Sequence, residues 1–207
     1  MKKQAAFTLA EVLITLGIIG IVAALTMPSL IQKQNNKAAV TALKKAYSVL
    51  AQALQLTTID KGDFSTWDKV TGNNTDSLYN WYLDLKPYLN VIRECKDNEG
   101  CFFANDKLVC GTATVGFVIA DGISVCMDDH SSGEIFGVKS GISVIDFHTD
   151  VNGSKPPNEY GKDVFIFVLN EKGLIPAGTD NNSADCTGAL ERKTCAAKVL
   201  KEDKIDY

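Results

Sequence analysis

The sequence predicts an α+β fold: one long N-terminal helix, membrane-spanning in its first half, packed on a small antiparallel β-sheet. Three observations lead there. Residues 4–32 carry a single charged side chain, Glu11. From residue 37 to about residue 59 the apolar positions become one-sided. After residue 113 the chain turns to β-branched and aromatic segments punctuated by turn residues. Its 207 residues suit one domain of ordinary size plus an anchor.

The apolar run ends at Ile31 and is long enough to cross a hydrocarbon core of ~30 Å, at ~1.5 Å per helical residue. In lipid the backbone must satisfy its own hydrogen bonds, which forces the helix. Lys2 and Lys3 precede the run, so the extreme N-terminus stays cytoplasmic and the remainder lies outside. Glu11 then needs a reason, because a carboxylate at the centre of a span costs ~2.5–3.5 kcal/mol on insertion scales. No cation follows Lys3 on the membrane side. A cut just before Phe7 would create one, an α-amino group four residues from Glu11, about one helical turn away.

Ala6-Phe7-Thr8-Leu9-Ala10-Glu11-Val12-Leu13-Ile14 resembles the class III signal of type IV prepilins and type II secretion pseudopilins. That signal is a basic leader, a small residue, Phe-Thr-Leu, a Glu five residues into the mature chain and a long apolar helix. The resemblance implies cleavage by a prepilin peptidase between Ala6 and Phe7, with methylation of the new Phe7 amine. It implies that Glu11 pairs with a neighbouring subunit's N-terminus during assembly. Ala6 departs from the usual Gly but is also small. Gly20 and Pro28 match the spacing that brackets a locally unwound helix segment in such filaments, although Gly and Pro are frequent in membrane helices generally. Pro28 by itself predicts a kink near Met27. Two plainer readings compete: an ordinary secretory signal cut near Val22-Ala23-Ala24, and a simple membrane anchor. The first has too long an apolar core and an unexpected carboxylate; the second leaves Phe-Thr-Leu-x-Glu as coincidence.

The resulting organisation is a leader at 1–6, a transmembrane and assembly helix at 7–31, its amphipathic second half at 32–59, and a disulfide-bonded head at 60–207. Leu43, Tyr47, Leu50 and Leu54 recur at spacings of four, three and four, one helix face. Ala39, Ala42, Ala46 and Ala53 widen that stripe, and Gly62 ends the helix. Thr75 or Asp76 caps a short helix carrying Leu78, Trp81, Tyr82 and Leu85, ended or bent at Pro87. Cys95 to Cys110 reads as loop. Thr114–Ala120 and Ile123–Met127 flank Asp121-Gly122, a strong hairpin signal. Gly141–His148 and Asp163–Asn170 complete four strands. The sheet's apolar face and the helix stripe bury each other.

The connection 150–163 is dense in turn residues and side-chain oxygens. One reading is a calcium loop built from Asp150, Asn152, Asp163 and Glu159; it lacks EF-hand spacing. The other is an Asx-turn connection that caps its own backbone. The resemblance adds that some pseudopilins bind calcium in late loops.

All six cysteines lie after residue 94, in the part expected outside, where an even count suggests disulfides. Connectivity stays open. Proximity favours Cys95–Cys101, Cys110–Cys126 and Cys186–Cys195, and the last resembles the disulfide-closed C-terminal loop of type IV pilins. Closing a loop of about ten residues would stabilise it by ~2–3 kcal/mol. A zinc site is disfavoured: there is no pair of CxxC knuckles, and His130 and His148 stand alone. Asp128-Asp129-His130 could suggest a metal or an acid–base pair, but adjacent residues on an exposed hairpin end read more simply as a solvated turn. His148 and Asp150 share a strand face without a third ligand.

Net charge is −4, and −6 once Lys2 and Lys3 leave with the leader, which argues against nucleic acid as the main partner. No nucleotide loop, Gly-x-Ser-x-Gly or His-Glu-x-x-His occurs, so no enzyme is expected. The expectation is a filament subunit of a pilus or pseudopilus. Its partners are identical or related pilin subunits, the prepilin peptidase and the bacterial inner membrane. The alternative is a membrane-tethered extracytoplasmic binding module, with calcium as its possible ligand.

Overall fold

The computed structural model describes residues 8–67, 74–96, 100–101, 110, 114–130, 133–140, 144–180, 186–188 and 191–207. Two units divide the chain, Met1–Ala38 and Ala39–Tyr207. Helix α1 runs from Leu9 to Lys61 and contributes to both.

In the first unit α1 is apolar on every side. Leu9, Leu13, Ile14, Leu16, Ile18, Ile19, Ile21, Val22, Leu25, Met27, Leu30 and Ile31 are all exposed, the composition of a helix meant for a non-aqueous surrounding. It is the one described helix long and apolar enough to cross a membrane. The helix continues through Pro28. Nearby hydroxyls bond back to carbonyls of the preceding turn, Thr26 Oγ1 to Val22 O at 2.9 Å and Ser29 Oγ to Thr26 O at 2.9 Å.

From Val40 onward one stripe goes inside. Val40, Leu43, Ala46, Leu50, Ala53, Leu54 and Thr57 are buried, the face that the leucine and alanine spacing predicts. Thr57 satisfies its hydroxyl on Ala53 O at 2.8 Å. Gly62 at φ +90° closes the helix, with its N–H on Thr58 O at 2.9 Å. Helix α2, Thr75–Leu85, buries Leu78, Trp81, Tyr82 and Leu85 as expected. Its cap is Asn74, one residue before the predicted candidates. The Asn74 side-chain oxygen accepts from Asp76 N at 3.0 Å and Ser77 N at 3.3 Å. Pro87 lies in a 3-10 turn, Lys86–Tyr88, directly after α2.

The four expected strands are part of a six-stranded antiparallel sheet. Its members are β1 Val91–Cys95, β2 Thr114–Ile119, β3 Ser124–His130, β6 Val144–Asp150, β7 Val164–Asn170 and β8 Gly173–Pro176, in that spatial order. A separate hairpin, β4 Gly133–Ile135 and β5 Val138–Ser140, interrupts β3 and β6. The Asp121-Gly122 turn joins β2 to β3, with Gly122 at φ +79°. Two of the additional sheet strands, β1 and β8, are the edges. Strand β1 is mostly exposed and carries Arg93 and Glu94, so it shows no apolar alternation to read.

Ladder register sorts the side chains, since directly opposed residues face the same way. Val115, Met127, Phe147 and Phe167 form one row, with Phe117 and Val125 beside it. This face meets the helices: the Tyr47 ring of α1 lies 5.4 Å from Phe167, and the Tyr82 ring of α2 lies 5.2 Å from Phe117. The opposite face is buried too. Cys126, His148 and Ile166 form one of its rows, and Asp128, Asp146 and Val168 another. Phe136 and Tyr160 cover it. The C-terminal helix α3, Ala196–Glu202, is tied to the chain after β8 through Ala197 N to Ala177 O at 3.0 Å.

Candidate functional site

The cleavage and methylation residues, Ala6 and Phe7, lie outside the described residues. Glu11 is described. Its Oε2 accepts from both Thr8 N and Thr8 Oγ1 at 2.8 Å, and Thr8 Oγ1 accepts from Glu11 N at 3.3 Å. This is a capping box, a hydroxyl residue and a Glu three positions later satisfying each other's backbone donors. The sequence carried that signal in Thr8-Leu9-Ala10-Glu11, and it was missed. Among the described residues the carboxylate is held locally, by Thr8. Gly20 has nothing within 4 Å of the place a Cβ would occupy, and Pro28 is exposed with its neighbours.

All three proximity pairs are disulfides: Cys95–Cys101, Cys110–Cys126 and Cys186–Cys195. None of the cysteines is free. Cys126 on β3 holds Cys110 against the far face of the sheet.

The 150–163 connection caps its own backbone, as its Asx-turn reading expects. Asp150 makes an Asx turn, its Oδ1 accepting from Asn152 N at 3.1 Å. Asp163 is a hub: Oδ2 accepts from Asn152 Nδ2 at 3.0 Å and Asn158 N at 2.9 Å, and Oδ1 accepts from Glu159 N at 2.7 Å. Among the described residues, three oxygens of this connection find no hydrogen-bond partner: Asp150 Oδ2, Asn152 Oδ1 and Asn158 Oδ1. Asp150 is fully buried and Asn158 nearly so. A buried acceptor without a partner is costly, and a hard cation takes carboxylate and amide oxygens of this kind. These three residues are the ones that could offer oxygen donors to such an ion. Asp163 orients Asn152 and the 158–159 backbone. Glu159 turns outward to Lys162 Nζ at 2.6 Å. Burial, with the Asp163 charge adding, pushes the Asp150 carboxyl up to about 7.

The Asp128-Asp129-His130 stretch is not a solvated turn. It completes β3, with Asp128 buried and His130 partly so. His130 Nε2 lies 3.4 Å from Asp128 Oδ2 and 3.1 Å from Asp146 Oδ1. His148 Nε2 lies 2.5 Å from Asp146 Oδ2 and its Nδ1 lies 2.5 Å from the Tyr160 hydroxyl. The histidines therefore do not stand alone, and the partner of His148 is Asp146 rather than Asp150. Burial raises the Asp146 carboxyl, but the charge and hydrogen bond of His148 and the His130 ring beside it hold it below the usual range. The Asp128 and Asp146 carboxylates paired with it lift His130 to about 10. Lys193 Nζ stands over the Phe136 and Tyr160 rings at 5.7 and 5.1 Å. Alternation placed His148 and Asp150 on one face; the β3–β6 register that brings Asp128 and His130 beside Asp146 was not readable.

Comparison with known proteins adds two matches. A family of unknown function, DUF6613, matches residues 29–188. The chain belongs to this family. The prokaryotic N-terminal methylation motif matches residues 1–27, so this DUF6613 member carries a prepilin-type N-terminal signal on a membrane-anchored precursor. Where the one match ends, at residue 27, the other begins two residues later. No curated protein and no solved structure matches the chain.

Proposed function

We propose that the chain is a non-enzymatic structural subunit of a type IV pilus or a type II secretion-like pseudopilus. The observation that carries this reading is the methylation motif over residues 1–27 on a helix whose apolar side chains are exposed all round. A prepilin peptidase cuts between Ala6 and Phe7 and methylates the new amine. The apolar helix then moves from the inner membrane into a bundle with identical or related pilin subunits, where Gly20 and Pro28 give local freedom and Glu11 meets a neighbour's amine. The head stays extracytoplasmic, in a surface or periplasmic filament. Pro28 and the C-terminal disulfide favour a pilus; the oxygen-rich loop favours a pseudopilus. Mechanical shearing of cells that express the chain and its peptidase tests the assembly step. The chain should sediment with sheared filaments; retention of all of it in the membrane would leave the helix a tether.

The tethered calcium-binding module is the second reading, and the three unpartnered oxygens of Asp150, Asn152 and Asn158 favour its ligand. A calcium site is also compatible with the filament. Without a cation, the folded-state pKa of Asp150 lies above its unfolded value. Its contribution to stability is then full below about pH 4 and is lost as pH rises through about 7. Calcium should offset that loss. The full chain in detergent should gain thermal stability on calcium addition at about pH 8, and the gain should fade by about pH 5 as protons compete for Asp150. An equal shift at both pH values, or none at either, would remove Asp150 from a calcium site.

A further inference from the structure

The far face of the sheet carries a second cluster, separate from the 150–163 connection. Asp128 on β3 and Asp146 on β6 are direct partners across the ladder, and both are buried. Carboxylates opposed in this way repel, and buried charges require a cation or full hydrogen bonding. Asp146 Oδ1 is shielded from solvent and, among the described residues, has no well-aligned hydrogen-bond donor; its near group is His130 Nε2, paired with it at 3.1 Å. One ligand atom each from Asp128, His130 and Asp146 falls within 4.8 Å of the others.

Donors bound tetrahedrally to zinc at ~2.0–2.2 Å are about 3.3–3.6 Å from one another. The separations from His130 Nε2, 3.4 Å to Asp128 Oδ2 and 3.1 Å to Asp146 Oδ1, approach that spacing. Orientation is prepared as well. His148 holds the other oxygen of Asp146, and Tyr160 holds His148, the outer support that fixes a ligating carboxylate. An imidazole nitrogen among two carboxylates suits zinc over calcium or magnesium, which take oxygen donors. The His130 side chain is 37% exposed, which leaves an entry path and room for water in the fourth position.

We propose that Asp128, His130 and Asp146 form a zinc(II) site that clips β3 to β6. The ion takes the place of the proton that His130 Nε2 holds between the opposed carboxylates, and that proton leaves to solvent. Nothing in this assignment depends on filament assembly.

The test uses the tag-free, metal-stripped full chain in detergent micelles, titrated with zinc chloride by calorimetry and with cobalt chloride by visible absorption. The chain has only two histidines, His130 and His148, so histidine-ligated metal reports on this cluster. One zinc per chain should bind with micromolar affinity or better, cobalt should show the intense bands of a four-coordinate site, and excess calcium should not displace either. His130→Gln should weaken binding by more than ~100-fold and His148→Gln by ~10–100-fold. Asp146→Asn can fail to fold, so the partly exposed His130→Gln is the deciding variant, with its thermal melt confirming the fold. No zinc binding by the wild-type chain, or binding unchanged by His130→Gln, would overturn the proposal.

Discussion

A Glu11→Val chain is expected to insert into the membrane at least as well as wild type and to vanish from sheared filaments. The insertion gain follows from removing a carboxylate worth ~2.5–3.5 kcal/mol of penalty at the centre of a span, less near its edge. The capping box with Thr8 is lost as well, a cost of about 1 kcal/mol at one helix end. Neither effect prevents folding of the head, which is a separate unit. Loss of filaments alone would not separate capping from charge, and Glu11→Gln does. Glutamine serves in a capping box as glutamate does, yet offers no charge to a neighbour's amine. If both variants abolish assembly while the precursor accumulates and is cleaved, the charge is what assembly requires. If Glu11→Gln assembles normally, Glu11 is only a cap. If Glu11→Val also assembles, the pairing account fails.

The second large effect is on stability. Phe167→Ala should cost about 3–5 kcal/mol, the range for a buried Phe truncated in a packed core. Phe167 is fully buried on β7 and meets the Tyr47 ring of α1. Tyr47 donates its hydroxyl to Leu174 O of β8 at 3.2 Å. The substitution therefore opens a cavity where the second half of α1 meets two strands. With typical domain stabilities of about 5–15 kcal/mol, it removes a large fraction of the total. At ~2–4 °C per kcal/mol for a domain of this size, the melting temperature should fall by roughly 6–20 °C. Ile92→Ala on β1, exposed at 64%, should stay within ~0.5 kcal/mol of wild type. Similar shifts for the two would mean that the α1–sheet contact is not the core of the head.

Much of this fold was legible because apolar periodicity was strong where burial was one-sided. Leu43, Leu50 and Leu54 marked the buried stripe of α1, and the unbroken run of Val164 to Leu169 marked a strand covered on both faces. Edge strands were not legible: Val91–Cys95 alternates no apolar residues because water covers most of it, and Gly173–Pro176 is too short to show a period. The N-terminal signal was readable because its chemistry is local, and the same locality let Thr8 and Glu11 form a capping box that a search for distant partners overlooked. The Asp128–His130–Asp146 cluster was hidden for the opposite reason. Its members are brought together only by a ladder register, and the intervening β4–β5 hairpin gives no sequence cue to that register.

Intact mass and N-terminal sequencing of the chain from native membranes test the central claim most directly. The account predicts a start at Phe7 with one added methyl group on its amine. An unprocessed Met1 in cells that hold the prepilin peptidase would contradict it and leave a permanent anchor, and a start near Leu25 would mean ordinary secretion.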